Sequence, residues 1–178
     1  MIEIINKMNK MFNIGIDFGG VLSIHDSKTT NTDGKEHKNT SINMPGGQEA
    51  LEKLKQDGHN LYLISFCGKQ RAIETRQSIK DNNVDHYFNE QYYVKSKIFK
   101  NDLCQYLGCH FMIDDNCDIL DNVKKNNPDI VTIWFDGNKQ DVTDHKVASN
   151  WDEVLTIIYS TDHFEAMKSK INVDKLKY

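Results

Sequence analysis

No apolar run in this 178-residue chain approaches the roughly 20 residues needed to cross a bilayer. The stretch 1–12 carries Glu3, Lys7 and Lys10 and lacks the apolar centre of a secretory leader. Neither a membrane span nor a signal peptide is therefore expected. Cysteine is sparse: Cys67, Cys104, Cys109 and Cys117 form no C-x-x-C pair and no dense framework. That excludes a disulfide scaffold and predicts reduced thiols in a cytoplasmic compartment. The seven histidines show no metal-ligand spacing. Arginine is confined to Arg71 and Arg76, and the net charge is −4. This balance argues against a general nucleic-acid-binding surface and leaves open only a local basic patch. Internal repeats and linkers are also missing.

What remains suits a soluble globular chain: 38% hydrophobic and 27% charged residues. The length predicts one domain over 1–178 that buries about 70% of its unfolded surface. Its core spans about 13–160, with a helical tail over about 161–178. Short apolar runs at 13–16, 60–65, 110–114 and 130–135, with a shorter one within 87–94, read as strands. Between them lie helical patterns at 47–57, 68–82, 97–107 and 117–126. Two more, near 151–159 and 162–171, close the chain. Pro45-Gly46-Gly47 opens the first helix, and Ala50, Leu51 and Leu54 form its stripe. In the helix after Ser96, a plausible N-cap, the stripe falls on Ile98, Phe99, Leu103 and Leu107, with Gly108 ending it. Ser23 to Asn43 is too polar for a core and has the length of a hairpin flap. Alternating strands and helices predict an α/β fold, a three-layer doubly wound parallel sheet with helices on both faces.

Four places carry chemistry. Asn13-Ile14-Gly15-Ile16-Asp17-Phe18-Gly19-Gly20-Val21-Leu22 reads as a buried strand delivering Asp17 to its tip, followed by a glycine turn. Strand tips are where open α/β sheets bind ligands. Leu61 to Ser65 ends in a hydroxyl, Lys95-Ser96-Lys97 places lysines at a helix start, and Phe111 to Asp115 ends in paired carboxylates. In that order they supply a nucleophile, a phosphate hydrogen-bond donor, a cation and a metal site.

The ordered set, over about residues 13–136, resembles the haloacid dehalogenase (HAD) superfamily of phosphohydrolases. Its opening Asp-x-Asp-x-(Thr/Val) motif matches Asp17-Phe18-Gly19-Gly20-Val21 except at Gly19. Ser65 matches the second motif, Lys97 the third (Lys95 is the alternative), and Asp114, Asp115 and Asp118 the fourth. The resemblance implies a Mg²⁺-dependent phosphomonoesterase in which Asp17 forms an aspartyl-phosphate. Mg²⁺ would be held by Asp17, the Gly19 carbonyl, Asp114, and Asp115 or Asp118. Ser65, the backbone N–H groups of Phe66 and Cys67, and Lys97 or Lys95 would bind phosphate.

Gly19 stands where family phosphatases usually carry an acid–base Asp, so His25 and Asp26 are candidate surrogate acids. The alternative reading is a catalytically impaired phosphate-binding or interaction module. A 23–43 insert is too short for a helical cap. Capless relatives point to a phosphorylated macromolecule as substrate, or to a homo-oligomer in which one subunit lids another. The acidic balance weakens, without removing, the case for nucleic acid.

Overall fold

The computed structural model describes residues 11–24, 41–136 and 144–160. The middle of the expected insert, with His25 and Asp26, and the expected helix over 162–171 lie outside the described residues. Six strands are described: β1 (Asn13–Ile16), β2 (Asn60–Phe66), β3 (Glu90–Val94), β4 (Phe111–Asp114), β5 (Val131–Phe135) and β6 (Lys146–Ala148). All pair in parallel, in the order β3-β2-β1-β4-β5-β6. Five α-helices accompany them: α1 (Gly47–Gln56), α2 (Lys69–Asp81), α3 (Ile98–Tyr106), α4 (Cys117–Asn126) and α5 (Trp151–Tyr159). The sequence pattern misses β6, because three residues with Ala148 alone fully buried carry no readable alternation.

Strand side chains alternate between two cores. Ile14, Ile16, Leu61, Leu63, Phe111 and Ile113 pack with Leu51 and Leu54 of α1 and Trp151, Val154 and Ile158 of α5. Ile64 and Met112 point the other way, onto Cys104 of α3 and Ile119, Leu120 and Val123 of α4. Burial on both faces is why these strands read as continuous apolar runs rather than as alternation. Gly15 lies on the second face, where a Cβ would come within 2.8 Å of Met112 Sδ. Caps fix the helix starts. Asn116 accepts from Ile119 N (3.3 Å), and Asn150 accepts from Glu153 N (2.9 Å). The insert leaves and returns at one point: the N–H groups of Asn43 and Met44 both donate to the Leu22 carbonyl, at 3.2 and 3.1 Å.

Helix α3 departs from the expected pattern. Its buried residues are Lys100, Asn101 and Cys104, whereas Ile98 and Phe99 are more than half exposed. The helix is therefore rotated from the face its apolar residues suggest, and it turns a lysine toward the sheet. Leu103 and Leu107 still pack at the margin of the second core.

The entry to β1 is built on two neutral histidines. Phe12 N donates to Nδ1 of buried His59 (3.2 Å), and Asn13 N donates to Nδ1 of His110 (3.0 Å). Phe12 stacks on the His59 ring, with centroids 5.3 Å apart. Burial holds both imidazoles below the ordinary histidine value. An unfolded histidine takes up its proton near pH 6.5, before the folded one does, so the unfolded state binds more protons as pH falls. The stability these contacts provide is thus complete above about pH 6.5 and is lost below it. Thermal unfolding at pH 7.5 and 5.5 should show a clear drop at the lower pH. His59→Asn, whose amide oxygen can accept the same N–H, should flatten that dependence. An unchanged pH profile would sink the assignment.

Candidate active site

Strand order reverses between β1 and β4, so their C-terminal ends flank the switch point where open α/β sheets form their ligand crevice. Asp17 follows β1 directly, and its N–H donates to Ile113 O of β4 (2.9 Å). Asp114 is the last residue of β4 and is fully buried. The chain after Asp17 curls back on itself. Leu22 N and Ser23 N both donate to Phe18 O, and Trp151 Nε1 donates to Val21 O at 3.0 Å. Gly20 sits at φ +75°, and a Cβ there would lie 2.2 Å from Asp115 Oδ2. That glycine is what lets the turn approach the acid. Gly19 is not among the glycines held at positive φ.

Lys100 joins the two strand ends. Its Nζ donates to Asp17 Oδ1 (2.6 Å) and Asp114 Oδ2 (2.7 Å), and the side chain is 1% exposed. Burial opposes the ammonium charge, but Asp17 and Asp114 outweigh it and hold Lys100 above the ordinary lysine value. Burial pushes Asp114 up to about 7, against the ammonium and the hydrogen bond that its Oδ1 accepts from Asn116 N (2.9 Å). One oxygen each from Asp17, Asp114 and Asp115 lies within 4.8 Å of the others. Trp134 Nε1 anchors the Asp115 carbonyl at 3.0 Å. Three carboxylates against one buried ammonium leave an excess of negative charge, which an oxygen-preferring dication suits.

These groups open into a cavity of about 420 Å³ that also takes in Gly19, Ser65, Phe66, Cys67, Gly68 and Arg71. Ser65 is buried at the end of β2. The Cys67 N–H donates to Val94 O (3.1 Å) and so is engaged in the sheet, contrary to its expected role toward phosphate. Burial raises the Cys67 thiol, although a hydrogen bond to Ser65 and the charge of Arg71 oppose the shift. An activated nucleophile would need the reverse.

Two further expectations are corrected. Lys97 caps α3 from outside, is half-exposed, and lies 3.7 Å from Asp118, which is 84% exposed. Lys95 is exposed as well. The lysine at the carboxylates is Lys100, nearly one turn further along and on the sheet-facing side of the helix. Asp118 points away from the acid cluster into that surface pair. The available signal was the stripe Lys100, Asn101 and Cys104, which keeps helical spacing but is polar.

The doubly wound parallel sheet with carboxylates at its switch point defines a three-layer, Rossmann-like α/β fold. It is the fold of the HAD-type hydrolases. Over 83% of this chain and 99% of the other, it superposes on a D,D-heptose bisphosphate phosphatase from B. bronchiseptica complexed with magnesium and phosphate (TM-score 0.58, 14% identity). A haloacid dehalogenase-like hydrolase from Xanthomonas campestris matches 84% of this chain and 96% of its own (TM-score 0.59, 10% identity). A HAD-type hydrolase from Bacillus subtilis bound to magnesium matches 66% of this chain and 56% of its own (TM-score 0.52, 11% identity). No protein-family model and no curated protein sequence matches the chain. Among the described residues no helix is long and apolar enough to cross a membrane.

Proposed function

We propose that this chain is a HAD-type, Mg²⁺-dependent phosphomonoesterase with Asp17 as nucleophile. The observation that carries the reading is the buried Asp17–Lys100–Asp114 bridge opening into a cavity walled by Ser65 and Arg71. Asp17, Asp114 and Asp115 would hold the cation, with the Gly19 carbonyl as a further oxygen. When bound, Mg²⁺ supplies charge neutralisation between the nucleophile and an anionic phosphate.

Lys100 occupies Asp17 Oδ1, so attack on phosphorus falls to Oδ2. The new Oδ2–P bond forms as the ester P–O bond breaks, and the leaving oxygen departs as an alkoxide or phenoxide that takes its proton from solvent. Water then attacks phosphorus, the Oδ2–P bond breaks, and phosphate and the Asp17 carboxylate are released. Lys100 holds the carboxylate oriented throughout. Ser65 donates its hydroxyl to a phosphate oxygen. Helix α2 begins just past Gly68, which lines the same wall, so its N-terminal N–H groups suit an anion there. Arg71 adds a second positive charge there.

Gly19 makes this enzyme dependent on its leaving group. With no carboxylate at that position, an alkoxide must depart with little protonation, and general acid help is typically worth about 10²–10⁴-fold. Aryl and acyl phosphates should therefore turn over faster than alkyl ones. Gly19→Asp, which the backbone φ permits, should raise alkyl phosphate hydrolysis selectively. The deciding experiment is hydrolysis of a panel of aryl, acyl, sugar, nucleotide and phosphoprotein phosphates with and without Mg²⁺. Activity absent across the panel, with a phosphorylated partner binding tightly, would favour the non-catalytic phosphate-binding module instead. Rapid alkyl hydrolysis by the wild type would mean that another acid acts, and His25→Ala and Asp26→Asn would identify it. A clear preference for a small sugar phosphate by a monomer would overturn the macromolecular-substrate reading.

A further inference from the structure

A second group of metal-type donors shares no residue with the acid cluster. Cys117 and Asp121 stand four positions apart on α4, which puts both side chains on one helix face. His145 reaches the same face from just before β6. One ligand atom from each of the three lies within 4.8 Å of the other two. Their sequence separation explains why no ligand spacing is visible in the primary structure: two donors are local and the third is contributed by the sheet.

The histidine is held as a ligand would be. His145 is 6% exposed, its Nδ1 lies 2.7 Å from Thr132 Oγ1, and Thr132 is itself 1% exposed on β5. A buried hydroxyl behind one ring nitrogen fixes the ring's orientation and leaves Nε2 aimed outward. There it meets Asp121 Oδ1 at 3.0 Å. With Nδ1 held by Thr132 Oγ1, Nε2 and a carboxylate oxygen face each other at 3.0 Å, a gap that either a proton or a metal ion can bridge. Metal-bound histidines characteristically have this kind of support at the outer nitrogen. A sulfur, an imidazole nitrogen and a carboxylate oxygen form a mixed donor set, which suits Zn²⁺ better than Mg²⁺ or Ca²⁺.

We propose that Cys117, Asp121 and His145 form a three-ligand Zn²⁺ site, with solvent as the fourth ligand. Binding transfers the Cys117 thiol proton to solvent and forms a Zn–thiolate bond. The ion would tie the first turns of α4 to the β5–β6 edge. Since α4 begins two residues after Asp115, it would also brace the segment that carries Asp114 and Asp115.

The test uses chelator-stripped full-length protein, kept in saturating Mg²⁺ to fill the acid cluster, and titrated with Co²⁺ and then Zn²⁺. Wild type should bind one equivalent of Co²⁺ with tetrahedral d–d bands and a sulfur-to-cobalt charge-transfer band, and Zn²⁺ should displace it. Cys117→Ser should remove the charge-transfer band. Asp121→Asn, at an exposed position, should weaken binding about tenfold or more. Thr132→Val should weaken it by about 10–100-fold, as loss of outer-nitrogen support does elsewhere. Asp115→Asn should leave the band intact. No charge-transfer band in wild type would overturn the site and leave His145–Asp121 as an ion pair. So would a band that survives Cys117→Ser, or one that disappears in Asp115→Asn.

Discussion

Lys100→Met is expected to destabilise the fold by about 3–5 kcal/mol, the scale on which removing one partner strands a buried charge, and to abolish the proposed phosphatase activity. Asp17 and Asp114 are both buried, and each gives an oxygen to the same ammonium, at 2.6 and 2.7 Å. Without it, two carboxylates at adjacent strand ends face each other with no cation between them, and among the described residues the Asn116 N–H is what still offsets the charge on Asp114. Methionine keeps the length and the apolar stem, so the loss reads the charge rather than a cavity. Mg²⁺, which under the proposed function would bind the same acids, should recover part of the stability and raise the unfolding temperature of Lys100→Met more than that of wild type. Thermal denaturation of both proteins with and without Mg²⁺ measures this. A variant as stable as wild type would mean that the bridge does not hold the strand ends together.

Asp17→Asn should reduce turnover by roughly 10⁴-fold or more, the range seen when a covalent catalyst loses its nucleophile. Asparagine preserves the shape and can still accept a hydrogen bond from Lys100, while Asp114 keeps the ammonium paired. The fold should therefore survive, and circular dichroism should match wild type. Trapping with labelled substrate should give an acid-stable, alkali-labile phosphoprotein in wild type and none in the variant. Substantial residual turnover by Asp17→Asn would remove the aspartyl-phosphate mechanism and leave direct attack by water.

Much of this was legible in the primary structure, and the reason is physical. β1, β2, β4 and β5 are buried on both faces, so their composition had to be apolar throughout, and Ser65 near the end of β2 and Asp114 at the end of β4 stand out. The same holds for Asp17, which directly follows β1. Helices α1, α4 and α5 bury plain apolar stripes and were readable to within a residue or two. Helix α3 was misread because a buried ion pair outweighs apolar burial there: Lys100 goes in and Ile98 and Phe99 stay out. Spacing rules assume that the hydrophobic side faces the sheet, and this helix breaks the assumption beside the two buried carboxylates. The cluster of Cys117, Asp121 and His145 was invisible for another reason, since its third member is supplied by sheet topology. The engagement of Cys67 N–H by Val94 depends on where β3 stops, a detail that composition does not encode.

The central position of β1 has a consequence for how the protein is made. Its partner on one side, β2, follows after one helix, but on the other side it pairs with β4, and Asn13 meets His110 across 97 positions. Closing so long a loop is slow relative to forming neighbouring βαβ units. During synthesis β1 would therefore stand as an apolar edge until β4 emerges, the kind of edge that recruits other chains. The same late pairing brings Asp17 beside Asp114. The nascent chain thus remains inert, and most prone to self-association, until one docking event both closes the sheet and assembles the carboxylates.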